Sequence, residues 1–228
     1  MRSKRRAEVI QVKICGITNE KDALCAAQSG AAALGFIFYP PSPRYIKPAD
    51  ARKIVSVLPD QLVKVGVFVN ESVTEVKRIV EYCWLDMIQL HGDESPAYCR
   101  DFPASQVIKA VELKNDDDFN HASSYDVAAI LIDSRHAGLY GGTGKKANWE
   151  LACRIKNKKP LILSGGLNEG NIAEAIKAVT PNALDINSGV ELRPGKKDHA
   201  KIARIFDIIR HADVELNEMQ LIFLRRGR

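Results

Sequence analysis

The chain of 228 residues has no apolar run approaching the ~20 positions a bilayer-spanning helix needs, which argues against a membrane protein. No hydrophobic region with a cleavage site follows the basic stretch Met1 to Ala7, so residues 1–8 are expected to be a loose leader rather than a secretion signal. The five cysteines (Cys15, Cys25, Cys83, Cys99 and Cys153) are odd in number, widely spread and free of C-x-x-C pairs. That spacing argues against a disulfide framework and against bound metal, and fits a reducing cytoplasm. Charge of one sign is also scarce: 33 basic against 28 acidic side chains leave a formal +5 with no dense basic stripe, so nucleic acid is not expected as a partner. An anionic small molecule would account for part of the excess.

What remains is a regular alternation of short apolar runs and amphipathic segments. Strands are expected at Val12 to Cys15, Ala33 to Phe38, Val63 to Val69, Met87 to Gly92, Val107 to Leu113, Ala128 to Asp133, Pro160 to Gly166 and Ala183 to Asn187. Helices are expected between them. Asn19 caps one that ends at Gly30, Pro48 opens one through about Val57, and Ser72 caps one to about Cys83. Others cover Ser95 to Phe102, Asp117 to Ser124, Asn148 to Lys156 and Gly170 to Val179, and Asp198 caps the last. Apolar strands alternating with helices imply a parallel sheet covered on both faces. Eight repeats in one domain, with a core of about residues 10–212, fit an α/β protein of the closed (β/α)₈ barrel type. An open doubly wound sheet is the rival, lowered by the missing Gly-x-Gly-x-x-Gly after the first strand.

Barrels of this kind place their chemistry at the C-terminal strand ends, where polar residues are informative. Here those are Cys15, His91, Asp133, Asp185 and Asn187, with Arg44 in the proline-rich loop Tyr39 to Ile46. Side chains alternate along a strand, so Lys13 and Cys15 share one face while Val12 and Ile14 share the other. An ammonium beside a thiol, near a helix N-terminus, is expected to ease its ionisation. Alternatively Cys15 is a small buried hydrophobe, Asp133 a capping or ion-paired aspartate, and His91 a satisfied rim histidine. Three glycine clusters lie at the same end: Gly141-Gly142-Thr143-Gly144, Ser164-Gly165-Gly166 and Asn187-Ser188-Gly189. Glycine lets backbone N–H groups approach an anion, and the loops after strands seven and eight of such barrels commonly hold phosphate.

Together these segments resemble the phosphoribosylanthranilate isomerase family of tryptophan biosynthesis. The resemblance rests on Val12-Lys13-Ile14-Cys15-Gly16-Ile17-Thr18, Ser42-Pro43-Arg44-Tyr45-Ile46, Gln89-Leu90-His91-Gly92, Ile132-Asp133-Ser134, Gly141-Gly142-Thr143-Gly144-Lys145, Ser164-Gly165-Gly166-Leu167, and the run from Asp185 to Glu191 with Pro194 to Asp198. It implies Cys15 as general base, Asp133 as general acid, and Arg44 on the anthranilate carboxylate. His91 and Asp185 would contact substrate, and Gly142, Gly144, Gly165, Gly166, Asn187, Ser188 and Gly189 its phosphate. The implied reaction is an Amadori rearrangement of a phosphosugar–anthranilate conjugate, with no cofactor, in a monomer or homodimer. Two departures stand out: Ala147 where an aromatic is frequent, and Ser164 where alanine is. Two alternatives remain open at this point. One is the related isomerase of histidine biosynthesis, which uses two strand-end aspartates, and the other is a phosphosugar-binding barrel without catalysis. The basic tail, residues 213–228, lies beyond the resemblance. A longer last helix, disorder and a subunit contact are equally open for it.

Overall fold

A computed structural model describes residues 10–133, 144–212 and 220–224, with side chains 144–149 outside the description. The expected leader and Gly142 therefore lie outside the described residues. In chain order the elements are β1 (Gln11–Ile14), α1 (Glu20–Ser29), β2 (Ala33–Ile37), α2 (Pro48–Ser56), β3 (Val63–Phe68), α3 (Val73–Cys83), β4 (Met87–Leu90) and α4 (Pro96–Cys99). There follow β5 (Val107–Val111), α5 (Asp116–Ser124), β6 (Ala129–Asp133), α6 (Gly144–Lys156), β7 (Leu161–Ser164), α7 (Ile172–Val179) and β8 (Ala183–Ile186). A two-stranded ribbon, β9 (Glu191–Arg193) and β10 (Lys196–Lys197), precedes α8 (His199–Arg210). Strands β1 to β8 form one closed parallel barrel in sequence order, with β8 paired back onto β1. Among the described residues no helix is long and apolar enough to cross a membrane.

The caps explain why the helices begin where they do. The side chains of Asn19, Ser72 and Asp198 each accept a backbone N–H from the first turn of α1, α3 and α8. Two segments differ from the sequence reading. Helix α4 is a single turn rather than a helix to Phe102: the N–H groups of Arg100, Asp101 and Phe102 bond three residues back, in tighter turns that stop at Pro103. Helix α6 opens at Gly144 rather than Asn148, since Lys145, Lys146 and Ala147 are all good helix formers. The ribbon between β8 and α8 carries no strand-length apolar run, and the sequence reading missed it.

Period-two alternation sorts the strand residues into two cores. Val12, Ile14, Leu34 and Phe36 point outward and pack with helix residues such as Ala23, Ala26 and Ile205. Ala33, Val63, Val65, Met87, Ile108, Ala129, Leu131 and Ala183 point inward and fill the lower half of the barrel. Of the tail, residues 220–224 are described, and they do not lengthen the last helix. Helix α8 ends at Arg210, and Ile222 and Phe223 return to pack among the inward residues at the N-terminal strand ends. Gln11 holds that segment with both amide atoms: Nε2 donates to the Phe223 carbonyl (2.9 Å), and Oε1 accepts from the N–H groups of Ile222 (2.7 Å) and Phe223 (2.9 Å). Asn182 Nδ2 donates to the Gln220 carbonyl at 3.2 Å. Ile222 and Phe223 thus plug the barrel floor. Replacing Phe223 by alanine is expected to destabilise the protein by about 2–4 kcal/mol in urea unfolding, and a loss below about 0.5 kcal/mol would show that the plug is not seated in solution.

Candidate active site

The parallel register builds the upper half of the barrel. Lys13 on β1 stands opposite Asp185 on β8, and Asp133 on β6 opposite Ser164 on β7. Lys13 and Asp185 both face inward, and the Lys13 ammonium donates to Asp185 Oδ1 at 2.9 Å with the two side chains 0% and 5% exposed. Cys15, one residue beyond β1, faces the same way and lies with Ile37 and Val67 in a small apolar cluster. Its backbone N–H donates to the Ile186 carbonyl at 2.9 Å, which anchors it to the barrel seam. Strand β2 leaves room for it: a Cβ on Gly35 would lie 2.7 Å from the Cys15 sulfur and 3.0 Å from the Lys13 nitrogen.

Burial pushes the Cys15 thiol up, and the Lys13 ammonium beside it pulls down without offsetting that cost. The expectation of an easily ionised thiol therefore needs correcting: Lys13 does favour the thiolate, but burial outweighs it and the sulfur is held above its ordinary value. Burial likewise works against the Lys13 ammonium, but Asp185 and Cys15 outweigh it and raise its pKa.

On the opposite side of the mouth, His91 Nε2 lies 3.9 Å from Asp133 Oδ2. Burial lowers the His91 pKa below its ordinary value, so the ring is neutral at pH 7. Gln89, two residues back on the same face, places its Nε2 2.9 Å from His91 Nδ1. With the amide as donor, the imidazole proton sits on Nε2, the edge facing Asp133. Gln89 Oε1 is buried with no hydrogen-bond partner among the described residues. A cavity of ≈ 500 Å³ opens here, lined by His91 and Asp133 together with Asn70, Lys109, His121 and Tyr125. Cys15, Arg44 and Asp185 are not part of its wall. Behind it, Lys109 makes a buried ion pair with Glu94 at 3.0 Å, and Glu94 Oε1 accepts the Asn70 N–H at 2.8 Å.

Arg44 is carried by the proline-rich loop, which is pinned to the barrel where the Ile46 N–H donates to the Ile37 carbonyl at 3.0 Å. Its guanidinium grips Glu191 of the ribbon, with Nε 2.9 Å from Oε1 and Nη2 2.6 Å from Oε2. Glu191 also accepts from Lys197 Nζ at 3.1 Å. Lys197 in turn donates to the Asn187 carbonyl (3.2 Å) and side chain (3.0 Å). Burial opposes the Glu191 charge, but Arg44 and Lys197 together hold the carboxyl below its usual range.

The glycine turns follow β7 and β8. Gly165 and Gly166 adopt φ of 91° and 66°, the left-handed region that side chains disfavour. Gly189 sits so close to the neighbouring turn that a Cβ there would fall 1.9 Å from the Leu167 carbonyl oxygen. The two loops are therefore packed backbone on backbone, with Asn187 and Ser188 at the same rim. Gly144 opens α6. Glu191 and Lys197 were missed by sequence reasoning, as was the pairing of Lys13 with Asp185. For that pair the signal was two charged residues inside otherwise apolar strand runs.

A model of the N-(5'phosphoribosyl)anthranilate (PRA) isomerase family matches residues 12–208. The chain belongs to that family. It is 52% identical over 200 residues to the N-(5'-phosphoribosyl)anthranilate isomerase of Syntrophus aciditrophicus, covering 88% of this chain and 87% of that one. Among solved structures, the phosphoribosyl anthranilate isomerase of Thermotoga maritima superposes with a TM-score of 0.80 at 45% identity, over 88% of this chain and 98% of the other. A phosphoribosyl anthranilate isomerase solved with reduced 1-(o-carboxyphenylamino)-1-deoxyribulose 5-phosphate matches at TM-score 0.78 and 42% identity, with the same coverage of both chains.

The raised thiol gives a direct test of the site's electrostatics. Alkylation of Cys15 by iodoacetamide, read by peptide mass mapping, should be slow at pH 7 and climb only above pH 9. Lys13→Met should move the climb to still higher pH, since the main group pulling the thiol down is gone and only the weaker pull of Lys197 remains. A midpoint at or below that of a free cysteine in the wild-type protein would contradict this balance.

Proposed function

We propose that the barrel catalyses the reaction of its family, the Amadori rearrangement of N-(5-phosphoribosyl)anthranilate to 1-(2-carboxyphenylamino)-1-deoxyribulose 5-phosphate in tryptophan biosynthesis. The observation that carries the reading is a family match over residues 12–208 combined with Cys15 and Asp133 on inward faces at the C-terminal strand ends. In this reading the phosphate rests on the loops of Gly165, Gly166, Asn187, Ser188 and Gly189. The anthranilate carboxylate meets Arg44, and the ribose lies between, near His91 and Asp185.

Asp133 gives a proton to the ribose ring oxygen, the C1′–O bond breaks, and the nitrogen lone pair closes an iminium ion. Cys15 then removes the C2′ proton, those electrons neutralise the iminium, and the resulting enolamine tautomerises to the ketose. A buried thiol is reluctant to ionise before substrate arrives. The iminium cation formed beside it favours the thiolate at the step that needs it, which couples the base to the acid's turn. With Gln89 donating to its Nδ1, the neutral His91 would turn its N–H toward Asp133 and could hydrogen-bond that carboxylate without competing for charge. Five free thiols fit a reducing cytoplasm as the compartment.

The test is turnover of freshly made phosphoribosylanthranilate, followed by loss of anthranilate-type fluorescence. Cys15→Ala and Asp133→Asn should each lower turnover about 10²- to 10⁴-fold while leaving the far-ultraviolet circular dichroism unchanged. Near-normal turnover in either variant removes that residue from its role. No turnover in the wild type removes the reaction.

A further inference from the structure

The bidentate grip of Glu191 on Arg44 lies outside every role described so far. Arg44 uses Nε and Nη2 on Glu191, while its Nη1 makes no hydrogen bond among the described residues. An arginine fork has more than one edge able to bind a carboxylate, so a partner that occupies the Nε edge decides which way the remaining donors face. Glu191 is itself fixed. Its side chain is 4% exposed, it accepts from the buried Lys197, and the Gly195 N–H donates to its Oε1 at 3.2 Å. Lys197 ties this group to Asn187 of the loop after β8 through two hydrogen bonds. Close packing leaves the arginine little play from below, since a Cβ on Gly16 would lie 2.9 Å from Arg44 Cδ and 2.8 Å from Asn187 Oδ1.

We propose that Glu191, braced by Lys197, is a positioning residue that sets the guanidinium plane of Arg44 for the benzoate carboxylate of the substrate. The proposal rests on the reading of Arg44 given above. Two cations share one carboxylate here, so the cluster keeps a net positive charge for an incoming anion. The ribbon that carries Glu191 and Lys197 thereby links the carboxylate end of the site to the phosphate end. Glu191 touches no reacting atom, so its effect belongs in binding and not in the chemical step.

The experiment compares inhibition by two ligands, the reduced carboxyphenylamino-deoxyribulose phosphate and its phenylamino counterpart without the carboxylate. In the wild type the carboxylate should improve Ki roughly 10- to 100-fold, as charge-assisted hydrogen bonds do. In Glu191→Gln most of that advantage should vanish, with the phenylamino Ki and kcat within about threefold of wild type and KM raised in proportion. Because Glu191→Gln leaves Lys197 buried without its counter-ion, Glu191→Asp is measured beside it and serves if the first does not fold. Its shorter reach should forfeit a smaller part of the preference. Arg44→Ala with and without Glu191→Gln closes the cycle, and on the arginine-free background the second change should cost nothing further. Equal loss on both ligands would make Glu191 merely structural. Tighter carboxylate binding in Glu191→Gln would mean that its charge, not its grip, is what the ligand senses, and either result overturns the proposal. If Arg44→Ala treats both ligands alike, the reading of Arg44 itself fails and takes the proposal with it.

Discussion

A charged pair shut away from water closes this barrel. Lys13 and Asp185 meet across the seam between the first strand and the last, because the register sets them opposite and both point inward. Buried ion pairs contribute little net stability, since desolvation takes back most of the Coulombic gain, while losing one partner costs several kcal/mol. Either member alone would strand a charge in the barrel, so the pair is fixed as a unit. Cys15 stands directly above it, and β2 passes with only a glycine at that height. The sulfur therefore has a cation in fixed position and an apolar wall of Ile37 and Val67.

The barrel is divided along its axis by chemistry. Its lower half is filled with aliphatic side chains and stoppered by Ile222 and Phe223, where burial alone supplies stability. Its upper half holds paired charges: Lys13 with Asp185, Arg44 and Lys197 with Glu191, and Lys109 with Glu94. Each pair ties a loop or strand to its neighbour, so the polar rim has the fixed geometry that an apolar core gives the floor. Such division lets the rim carry groups that are costly to bury, because the stability that tolerates them comes from the other end.

Where local rules decide, the sequence was legible. Period-two alternation placed Lys13 and Cys15 on one face, and the caps at Asn19, Ser72 and Asp198 marked true helix starts. Eight alternating units sufficed to specify the closed barrel. What stayed hidden depends on partners distant in the chain. Lys13 and Asp185 are 172 positions apart, and Arg44 and Glu191 are 147 apart, so no window along the chain shows either pair. The tail was opaque for the same reason. The apolar run Leu221 to Leu224 carries no periodicity, and only the floor that Ile222 and Phe223 fill gives those two meaning. The sign of the Cys15 shift was misread because the charge of Lys13 is visible in sequence while the depth of burial is not.

Preorganisation separates the two ends of the site. The loops after β7 and β8 are locked against each other at Gly189, where no side chain would fit, and the left-handed turns at Gly165 and Gly166 are already formed. A phosphate held there would bind without the entropy of ordering those loops, which leaves its binding energy free to orient the sugar. Arg44 is similarly held by its grip on Glu191. With both ends of a ligand fixed as proposed, the ribose between them would have few ways to sit, and the proposed acid and base would need to act on only one. The barrel thus contributes most where it holds still, and in the proposed reaction the iminium charge would do for the buried thiol what its surroundings do not.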